Sequence, residues 1–235
     1  MSGTLGTLVV VTGAAGALGR VVAQTFLAQG RPVVLVDCSE QALQSVYEGI
    51  EGDKHFLVVD LTDSAATQAA LGKVFESKGP AGVLCNIAGG FAMGSEVHDA
   101  DGAVWQQMMD LNVTTVLNTC RATVPGMLAA GGGKIINVSA ASAVTGKGAM
   151  GAYCASKSSV ARITESMAQE LRGRGINVNA VAPSIIDSAA NRSAMPDVDP
   201  ALWVSPQQLA AVFGFLASDA ASALNGAVIP VVGLS

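Results

Sequence analysis

The chain has 235 residues, 50% of them hydrophobic and 13% charged, which is enough to bury one sizeable α/β core. A net charge of −5 with no run of basic residues argues against a nucleic-acid partner. There is neither a basic leader nor an uncharged apolar stretch of about 18 residues, so we expect a cytoplasmic protein with no signal peptide and no membrane partner. We predict a single domain over residues 1–235.

Four cysteines, Cys38, Cys85, Cys120 and Cys154, are widely separated along the chain and form no Cys-x-x-Cys motif. The chain has only two histidines that could join them as metal ligands. This spacing predicts buried thiols, with neither a disulfide framework nor a metal site.

The first strong pattern joins a buried strand to a glycine-rich turn and a helix. Residues 8–11 are four consecutive apolar residues, typical of a strand covered on both faces. The glycines that follow allow a tight turn and bring backbone N–H groups close to a pyrophosphate, whose charge a helix N-terminus favours. Alone, such a glycine run is equally typical of an ordinary turn between a strand and a helix. The predicted cofactor contacts here are Gly13, Ala15, Gly16, Leu18 and Gly19.

A second observation favours a dinucleotide site. Residues 31–37 form another apolar strand that ends in Asp37, about two dozen residues after Gly13, where a Rossmann unit places the acceptor for the adenosine ribose hydroxyls. Asp37 favours NADH over NADPH, because a 2′-phosphate would face its negative charge. Arg20 and Arg31 are cations that weaken strict discrimination.

Strand and helix patterns then alternate to the end of the chain. We predict helices over residues 41–50, 64–78, 101–130, 151–172 and 206–218, and strands over residues 55–60, 81–90, 134–139, 175–183 and 227–232. Asp60 ends the third strand, and either Asp60 or Thr62 is predicted to cap the helix that follows. This order predicts an α/β protein with a Rossmann-type doubly wound, mostly parallel seven-stranded sheet and helices on both faces. Pro230 suggests that the last strand lies at an edge.

Tyr153 and Lys157 lie at positions i and i+4 of one predicted helix and therefore on one face. A tyrosine with its ordinary pKa of about 10 is a poor acid–base catalyst at neutral pH, but a neighbouring ammonium favours phenolate and lowers that pKa. Alone, such a spacing is more often a chance surface pair. Since this helix follows the fifth strand, the pair lies where such sheets bind ligands, and we predict proton transfer. The predicted buried stripe of this helix is Val160, Ile163, Met167 and Leu171.

Together these features resemble the short-chain dehydrogenase/reductase family over essentially the whole chain. The matching motifs, in family order, are Thr12-Gly13, Asp60, Asn86-Ile87-Ala88-Gly89, Asn112, Asn137-Val138-Ser139, Tyr153-x-x-x-Lys157 and residues 183–188. The resemblance implies an NAD(P)-dependent oxidoreductase of a small carbonyl or alcohol substrate, assembled as a homotetramer. Further implied cofactor contacts are Asp60, Leu61, Asn86, Ala88, Gly89, Tyr153, Lys157, Pro183, Ile186 and Ser188.

The resemblance also implies the roles of three side chains. Tyr153 exchanges a proton with the substrate oxygen, Lys157 holds the nicotinamide ribose and lowers the tyrosine pKa, and Asn112 anchors a water in a proton relay. The position of the family's usual carbonyl-polarising serine is Ala140 here. In an extended segment, side chains alternate in direction, which favours Ser142 over Ser139 as a replacement.

The glycine spacing and Ala140 are similar to those of the dihydropteridine reductases within this family, which favours NADH. Residues 184–205 lose regular pattern and are predicted to form a lid over the substrate. Apolar residues that would border the pocket are Phe91, Met93, Met150, Met195 and Trp203. Three functions compete: an NADH-dependent carbonyl reductase or alcohol dehydrogenase, a dihydropteridine-type reductase, and a catalytically silent regulator that senses the dinucleotide.

Overall fold

Seven parallel strands form one sheet in the computed structural model, which describes residues 7–235. In chain order they are β1 Val9–Thr12, β2 Val33–Asp37, β3 Lys54–Val58, β4 Val83–Asn86, β5 Gly133–Val138, β6 Ile176–Pro183 and β7 Val228–Val231. Across the sheet the order is β3-β2-β1-β4-β5-β6-β7, and each neighbouring pair is parallel. This confirms the predicted Rossmann-type doubly wound fold, and β7 lies at the edge as expected.

Helices cover both faces of this sheet. Within the described residues they are α1 Ala17–Ala28, α2 Glu40–Val46, α3 Ser64–Lys78, α4 Gly102–Met109, α5 Thr115–Ala129, α6 Gly151–Leu171, α7 Ala189–Ala194 and α8 Pro206–Leu216. On one face, α1, α2 and α8 pack around a cluster that includes Val9, Phe26 and Phe213. On the other, α3, α5 and α6 pack around Leu71 and Ile135. Because both faces are covered, β1 and β4 consist almost entirely of apolar residues.

Two helices differ in detail from the prediction. α2 ends at Val46 rather than at Ile50, because Tyr47 caps the helix and turns its ring into the core. In α6 the predicted stripe is only partly right. Its buried members are Val160 and Leu171, and its partly buried members are Ile163 and Met167.

The predicted cap of α3 is wrong. The carboxylate of Asp63 accepts the backbone N–H of Ala66 at 2.9 Å and so caps the helix. Asp60 lies three residues before Asp63, and its carboxylate accepts the backbone N–H of Thr62 instead. Asp60 is therefore free of the capping role that competed with a cofactor contact.

The long predicted helix over residues 101–130 contains an interruption. A π-helical turn at Asp110–Thr114 separates α4 from α5, and Asn112 lies at its centre. Such π turns occur often at functional sites, because the extra residue changes the direction of the neighbouring side chains. The interruption therefore sets the orientation of the Asn112 side chain relative to α4 and α5.

The segment over residues 184–205 is more regular than predicted. It contains α7 and a 3-10 turn at Pro200–Leu202, and Ile186 pairs with Val204 in a parallel bridge. The expectation of an irregular loop is wrong here, because local capping and this bridge supply the backbone hydrogen bonds.

Cys38 is exposed, contrary to expectation, because it follows Asp37 beyond the end of β2, whereas the other three cysteines are buried. Among residues 7–235, no group of three or more histidine, cysteine or acidic side chains could hold a metal ion. No helix in this described range is long and apolar enough to cross a membrane. The expectation of no leader also involves residues 1–6, which lie outside the described residues.

Candidate active site

The strand order reverses between β1 and β4, and parallel sheets bind ligands outside the carboxyl ends of their strands at such a switch point. Gly13 follows β1, Asp37 ends β2, and Asn86 ends β4. Tyr153 and Lys157 lie in the first turns of α6, which begins after the carboxyl end of β5. The principal predicted residues therefore lie along one edge of the sheet.

The turn after β1 has room only for glycine at two of its positions. Gly13 has a φ of +61°, and a Cβ atom there would lie 2.9 Å from the Cα atom of Ala88. A Cβ atom on Gly19 would collide with the carbonyl oxygen of Gly13. Gly16 caps α1 without a side-chain acceptor, and Leu18 is buried in the first turn. The first N–H groups of α1 therefore suit an external anion, which fits the pyrophosphate of a dinucleotide.

Asp37 lies beside this turn. Its Oδ2 atom accepts the backbone N–H of Ala15 at 3.0 Å, and its Oδ1 atom accepts that of Cys38 at 2.9 Å. The backbone donor of Ala15 therefore orients the carboxylate. The Oδ1 atom also accepts the Cys38 thiol at 3.7 Å and the N–H of Ser39 at 3.4 Å. The Oδ2 atom accepts one hydrogen bond among the described residues and can therefore accept another from a ribose hydroxyl.

The sequence did not single out the role of Thr12, the last residue of β1. Its buried hydroxyl accepts the backbone N–H groups of Ile87 at 2.9 Å and of Ala88 at 3.0 Å. The same hydroxyl lies 3.4 Å from the carbonyl oxygen of Cys85, to which it donates. Thr12 thereby fixes the segment after β4 against the glycine turn. A β-branched residue at the end of a strand gives no separate signal of this function.

The segment after β3, predicted to contact the cofactor, is held by a residue from α5. Asp60 accepts the N–H and the hydroxyl of Thr62, and these hydrogen bonds lower the pKa of the Asp60 carboxyl. Buried Asn118 donates to the carbonyl oxygen of Leu61 at 2.9 Å and to that of Thr62 at 3.2 Å. Asn118 therefore fixes this segment. In the sequence, the only sign of this role is an asparagine within a predicted helix, where asparagine is not favoured.

The side chain of Asn86 points into the interior. Its Nδ2 atom donates to Oδ1 of Asn137 at 2.9 Å, and its Oδ1 atom accepts the hydroxyl of Thr119 at 2.7 Å. Asn137 in turn donates to the hydroxyl of Thr164 at 2.9 Å. All four side chains are buried. This chain of hydrogen bonds links α5 to α6 beneath the crevice, so a cofactor would meet Asn86 through its backbone.

Lys157 is almost completely enclosed, with 5% of its surface exposed. Its Nζ atom donates to the carbonyl oxygen of Val138 at 3.0 Å. A Cβ atom on Gly89 would lie 3.2 Å from that Nζ atom and 2.6 Å from Oδ1 of Asn112. The absence of a side chain at Gly89 therefore keeps the predicted cofactor segment in contact with two of the predicted catalytic residues.

Asn112 connects the segment after β4 to α6. Its Oδ1 atom accepts the N–H of Gly90 at 2.9 Å, and its Nδ2 atom donates to the carbonyl oxygen of Gly90 at 3.1 Å. The same Nδ2 atom donates to the hydroxyl of Ser156 at 3.0 Å, and that hydroxyl donates to the carbonyl oxygen of Tyr153 at 2.8 Å. The Asn112 amide is thus occupied in positioning the backbone on both sides of the crevice.

Tyr153 contacts the exposed ring of Phe91 edge to face, with a centroid distance of 4.9 Å. Burial raises the pKa of Tyr153 to about 12 and lowers the pKa of Lys157 to about 8. The pKa of the tyrosine is therefore shifted upward, opposite to the expected direction, because the surrounding chain desolvates the phenolate. In this state the phenol keeps its proton at neutral pH.

The argument for Ser142 from alternating side chains does not hold. Residues Ala141–Ala143 form a 3-10 turn, so the chain here is not extended after Ala140. Ser139 is buried, and its hydroxyl donates to the carbonyl oxygen of Lys157 at 2.9 Å. The hydroxyl of Ser139 therefore supports the backbone of α6.

The remaining predicted cofactor residues follow β6. Pro183 ends this strand, and Ile186 forms the bridge to Val204. Ser188 caps α7 with its side chain. These contacts place all three on the segment that borders the carboxyl edge of the sheet.

Comparison with known proteins agrees with this geometry. A family model described as short chain dehydrogenase matches residues 7–199. The chain is 32% identical to a 3-oxoacyl-acyl-carrier-protein reductase of Thermotoga maritima, covering 97% of each chain. It is 31% identical to a meso-2,3-butanediol dehydrogenase of Serratia marcescens, covering 96% of this chain and 93% of that one.

Among solved structures, a gluconate 5-dehydrogenase of Burkholderia cenocepacia in complex with NADP and tartrate superimposes with a TM-score of 0.88. The two sequences are 25% identical, and the match covers 96% of this chain and 93% of the other. The sheet, the glycine turn and the family match are mutually consistent. The chain belongs to the short-chain dehydrogenase/reductase family, whose members are oxidoreductases.

Proposed function

We propose that this protein is an NADH-dependent oxidoreductase that interconverts a small carbonyl compound and its alcohol, with Tyr153 as the acid–base group. The observation that supports this most directly is the placement of Tyr153, Lys157 and Asn112 beside the glycine turn. Asn112 binds Gly90 and, through Ser156, the backbone of Tyr153. In this proposal Tyr153 and Lys157 supply two groups that exchange protons, and Asn112 positions the backbone around them.

The preference for NADH rests on Asp37. Its carboxylate is oriented by Ala15 at the edge of the pyrophosphate cradle, where it would accept hydrogen bonds from ribose hydroxyls and repel a 2′-phosphate. The gluconate 5-dehydrogenase neighbour holds NADP, so the family alone does not decide between the two cofactors. Asp37 is the residue of this chain on which the choice depends.

The proton chemistry follows from burial. The bound dinucleotide supplies a hydride to the carbonyl carbon. The phenol of Tyr153 donates its proton to the carbonyl oxygen, so hydride and proton together give the alcohol. Because burial keeps the proton on Tyr153 at neutral pH, the residue is a proton donor there. Alcohol oxidation needs the phenolate and is therefore expected to increase toward high pH.

The substrate is proposed to be small and partly apolar. The ring of Phe91 is 57% exposed and lies against Tyr153, and Met93 beside it is 63% exposed. Exposed apolar side chains next to a catalytic group are typical of a binding surface. One of the relatives named above is a dehydrogenase of meso-2,3-butanediol, a small diol.

Titration with NADH, followed by fluorescence, and then a substrate screen would test the proposal. The screen contains a short diketone, a 3-oxoacyl thioester and a quinonoid dihydropterin. NADH binding with turnover of a ketone or 3-oxoacyl compound supports the proposal, whereas turnover of the pterin alone assigns a dihydropteridine-type reductase. Binding without turnover of any carbonyl would favour a dinucleotide-sensing regulator.

A homotetramer is the proposed assembly. Large apolar side chains are exposed on α4, α5 and α8, where Trp105, Leu117 and Phe215 are between 41% and 46% exposed. Exposed apolar side chains on several helices are suited to subunit contacts. Light scattering after size-exclusion chromatography should give about four times the chain mass of 23.6 kDa, and a monomer mass would contradict this proposal.

A further inference from the structure

One peptide group of the glycine turn is held from both sides. The carbonyl oxygen of Ala14 accepts the hydroxyl of Tyr47 at 2.9 Å. The N–H of the same peptide group belongs to Ala15 and donates to Asp37 at 3.0 Å. We infer that Tyr47 is a positioning residue for the dinucleotide, because it fixes the peptide group that orients the ribose-binding carboxylate. The inference rests on the proposed function, since it assigns Asp37 to the ribose.

Tyr47 lies 33 residues from Ala14 in the sequence and belongs to a different element of the fold. It caps the C-terminal end of α2, with its ring tilted against that of Phe56 at a centroid distance of 6.1 Å. Only 2% of its surface is exposed, and it belongs to the core cluster that includes Leu43. Packing therefore fixes the position of its hydroxyl, which is directed at Ala14.

The hydroxyl has a use beyond packing. Phenylalanine would fill the same core volume, and a buried hydroxyl is unfavourable unless it is hydrogen-bonded. Among the described residues, the hydroxyl donates to the carbonyl oxygen of Ala14, within the predicted pyrophosphate cradle. Burial and the nearby Asp37 raise the pKa of Tyr47 above its usual range, so the hydroxyl remains a donor at every working pH.

The Tyr47 hydroxyl is expected to set the orientation of the peptide group between Ala14 and Ala15. If the Tyr47 hydroxyl is removed, the Ala14 carbonyl loses its partner and the peptide group can rotate. Rotation would turn the N–H of Ala15 away from Asp37. The carboxylate would then be less well oriented toward a ribose, whereas Tyr153 and Lys157 are bound to other segments. The effect should therefore appear in cofactor affinity rather than in the chemical step.

The test compares Tyr47→Phe with Phe56→Leu, which disturbs the same ring pair but leaves the hydroxyl in place. Calorimetry with ADP-ribose and fluorescence with NADH give the dissociation constants, and thermal unfolding gives Tm. In Tyr47→Phe both dissociation constants should rise by roughly threefold to tenfold, the scale of one hydrogen bond. KM for NADH should rise with them, while kcat at saturating cofactor changes less. Phe56→Leu should lower Tm without this rise.

Three results would contradict the inference, and they can be distinguished from one another. Unchanged dissociation constants in Tyr47→Phe, or equal weakening in both variants in proportion to their Tm, would assign Tyr47 to packing alone. The proposed function would survive either result. If the wild-type protein binds neither ADP-ribose nor NADH, the proposed function is wrong, and the inference is overturned with it.

Discussion

On the side of the crevice formed by β1 to β3, glycines allow backbone segments to approach one another beside the carboxylate of Asp37. On the side formed by β4 to α6, the predicted catalytic residues are polar side chains held by hydrogen bonds. Gly13 and Gly19 let two backbone segments approach closely, and any added Cβ would obstruct them. Lys157 and Asn112, in contrast, act through polar atoms held in fixed positions by hydrogen bonds. Mutations in the two halves should therefore affect different measurable quantities.

The two halves also differ in their exposure to water. Asp60 on the first side is exposed, and hydrogen bonds lower its pKa. Lys157 and Tyr153 on the second side are desolvated. Burial lowers the pKa of Lys157 and raises that of Tyr153, so both shifts favour the uncharged side chain. We call the side formed by β1 to β3 the dinucleotide half and the side formed by β4 to α6 the catalytic half. The dinucleotide half is suited to charged binding partners, and the catalytic half is suited to the transfer of a proton.

The largest effect should come from Tyr153→Phe in the catalytic half. The substitution keeps the ring and its contact with Phe91 but removes the proton donor, so kcat should fall by roughly 10²- to 10⁴-fold. NADH binding should survive, because the glycine turn and Asp37 are unchanged. Steady-state kinetics with the substrate found in the screen, together with an NADH titration, would measure both quantities.

Tyr153→Phe and Tyr47→Phe form a matched pair, because each removes one phenolic hydroxyl and the chain has only two tyrosines. The first should lower kcat, and the second should raise the dissociation constant of NADH. A near-normal kcat in Tyr153→Phe would disprove the proposed mechanism and leave the fold intact. If both variants lowered kcat, or if both raised the dissociation constant of NADH, the contrast between the two halves would be wrong.

Lys157→Ala should produce the second largest effect, a fall in kcat/KM of roughly 10²-fold. In alcohol oxidation the phenolate is the base, so the rate increases with pH up to the pKa of Tyr153. Burial lowers the pKa of Lys157 to about 8 in this structure. In the proposed complex the nicotinamide ribose stabilises its ammonium, and removing that cation should raise the pKa of Tyr153 and shift the ascending limb to higher pH. Carbonyl reduction uses the protonated phenol and should be less affected at neutral pH.

pH–rate profiles in both directions would measure this shift. Lys147→Ala is the matched control, because Lys147 is an exposed lysine in the segment before α6. The control should keep the wild-type profile. An unchanged ascending limb in Lys157→Ala would show that Lys157 does not tune Tyr153.

Patterns within short stretches of sequence predicted most of the fold. Short apolar patterns predicted all seven strands, including β3 and β6, in which polar residues stand among the apolar ones. The i, i+4 spacing placed Tyr153 and Lys157 on one helix. The contacts between distant segments could not be predicted in this way. The bond from Asn118 to Leu61 spans 57 residues, and the bond from Tyr47 to Ala14 spans 33. Such pairs depend on how helices pack, which periodicity does not determine.

Asp37→Ala tests the dinucleotide half, and its expected effect on cofactor binding is smaller than the effects on catalysis predicted above. The substitution removes a ribose acceptor and a repulsive charge together, so NADH should bind roughly tenfold more weakly while NADPH improves relative to it. Asp37→Asn is the matched variant, because its amide oxygen can still accept the N–H of Ala15. A wild-type enzyme that already prefers NADPH in kcat/KM would refute the argument from Asp37.

The smallest effect is expected for Ser142→Ala. The case for Ser142 as a replacement for the hydroxyl missing at Ala140 required an extended chain, whereas Ala141–Ala143 form a 3-10 turn. We therefore expect kcat to change less than about threefold, compared with about 10²-fold for the loss of an oriented donor to a developing oxyanion. The measurement is kcat at saturating NADH and substrate. A fall of about 10²-fold would instead assign carbonyl polarisation to Ser142, and the catalytic half would then contain a fourth functional side chain, the one that the alternating side-chain direction favoured.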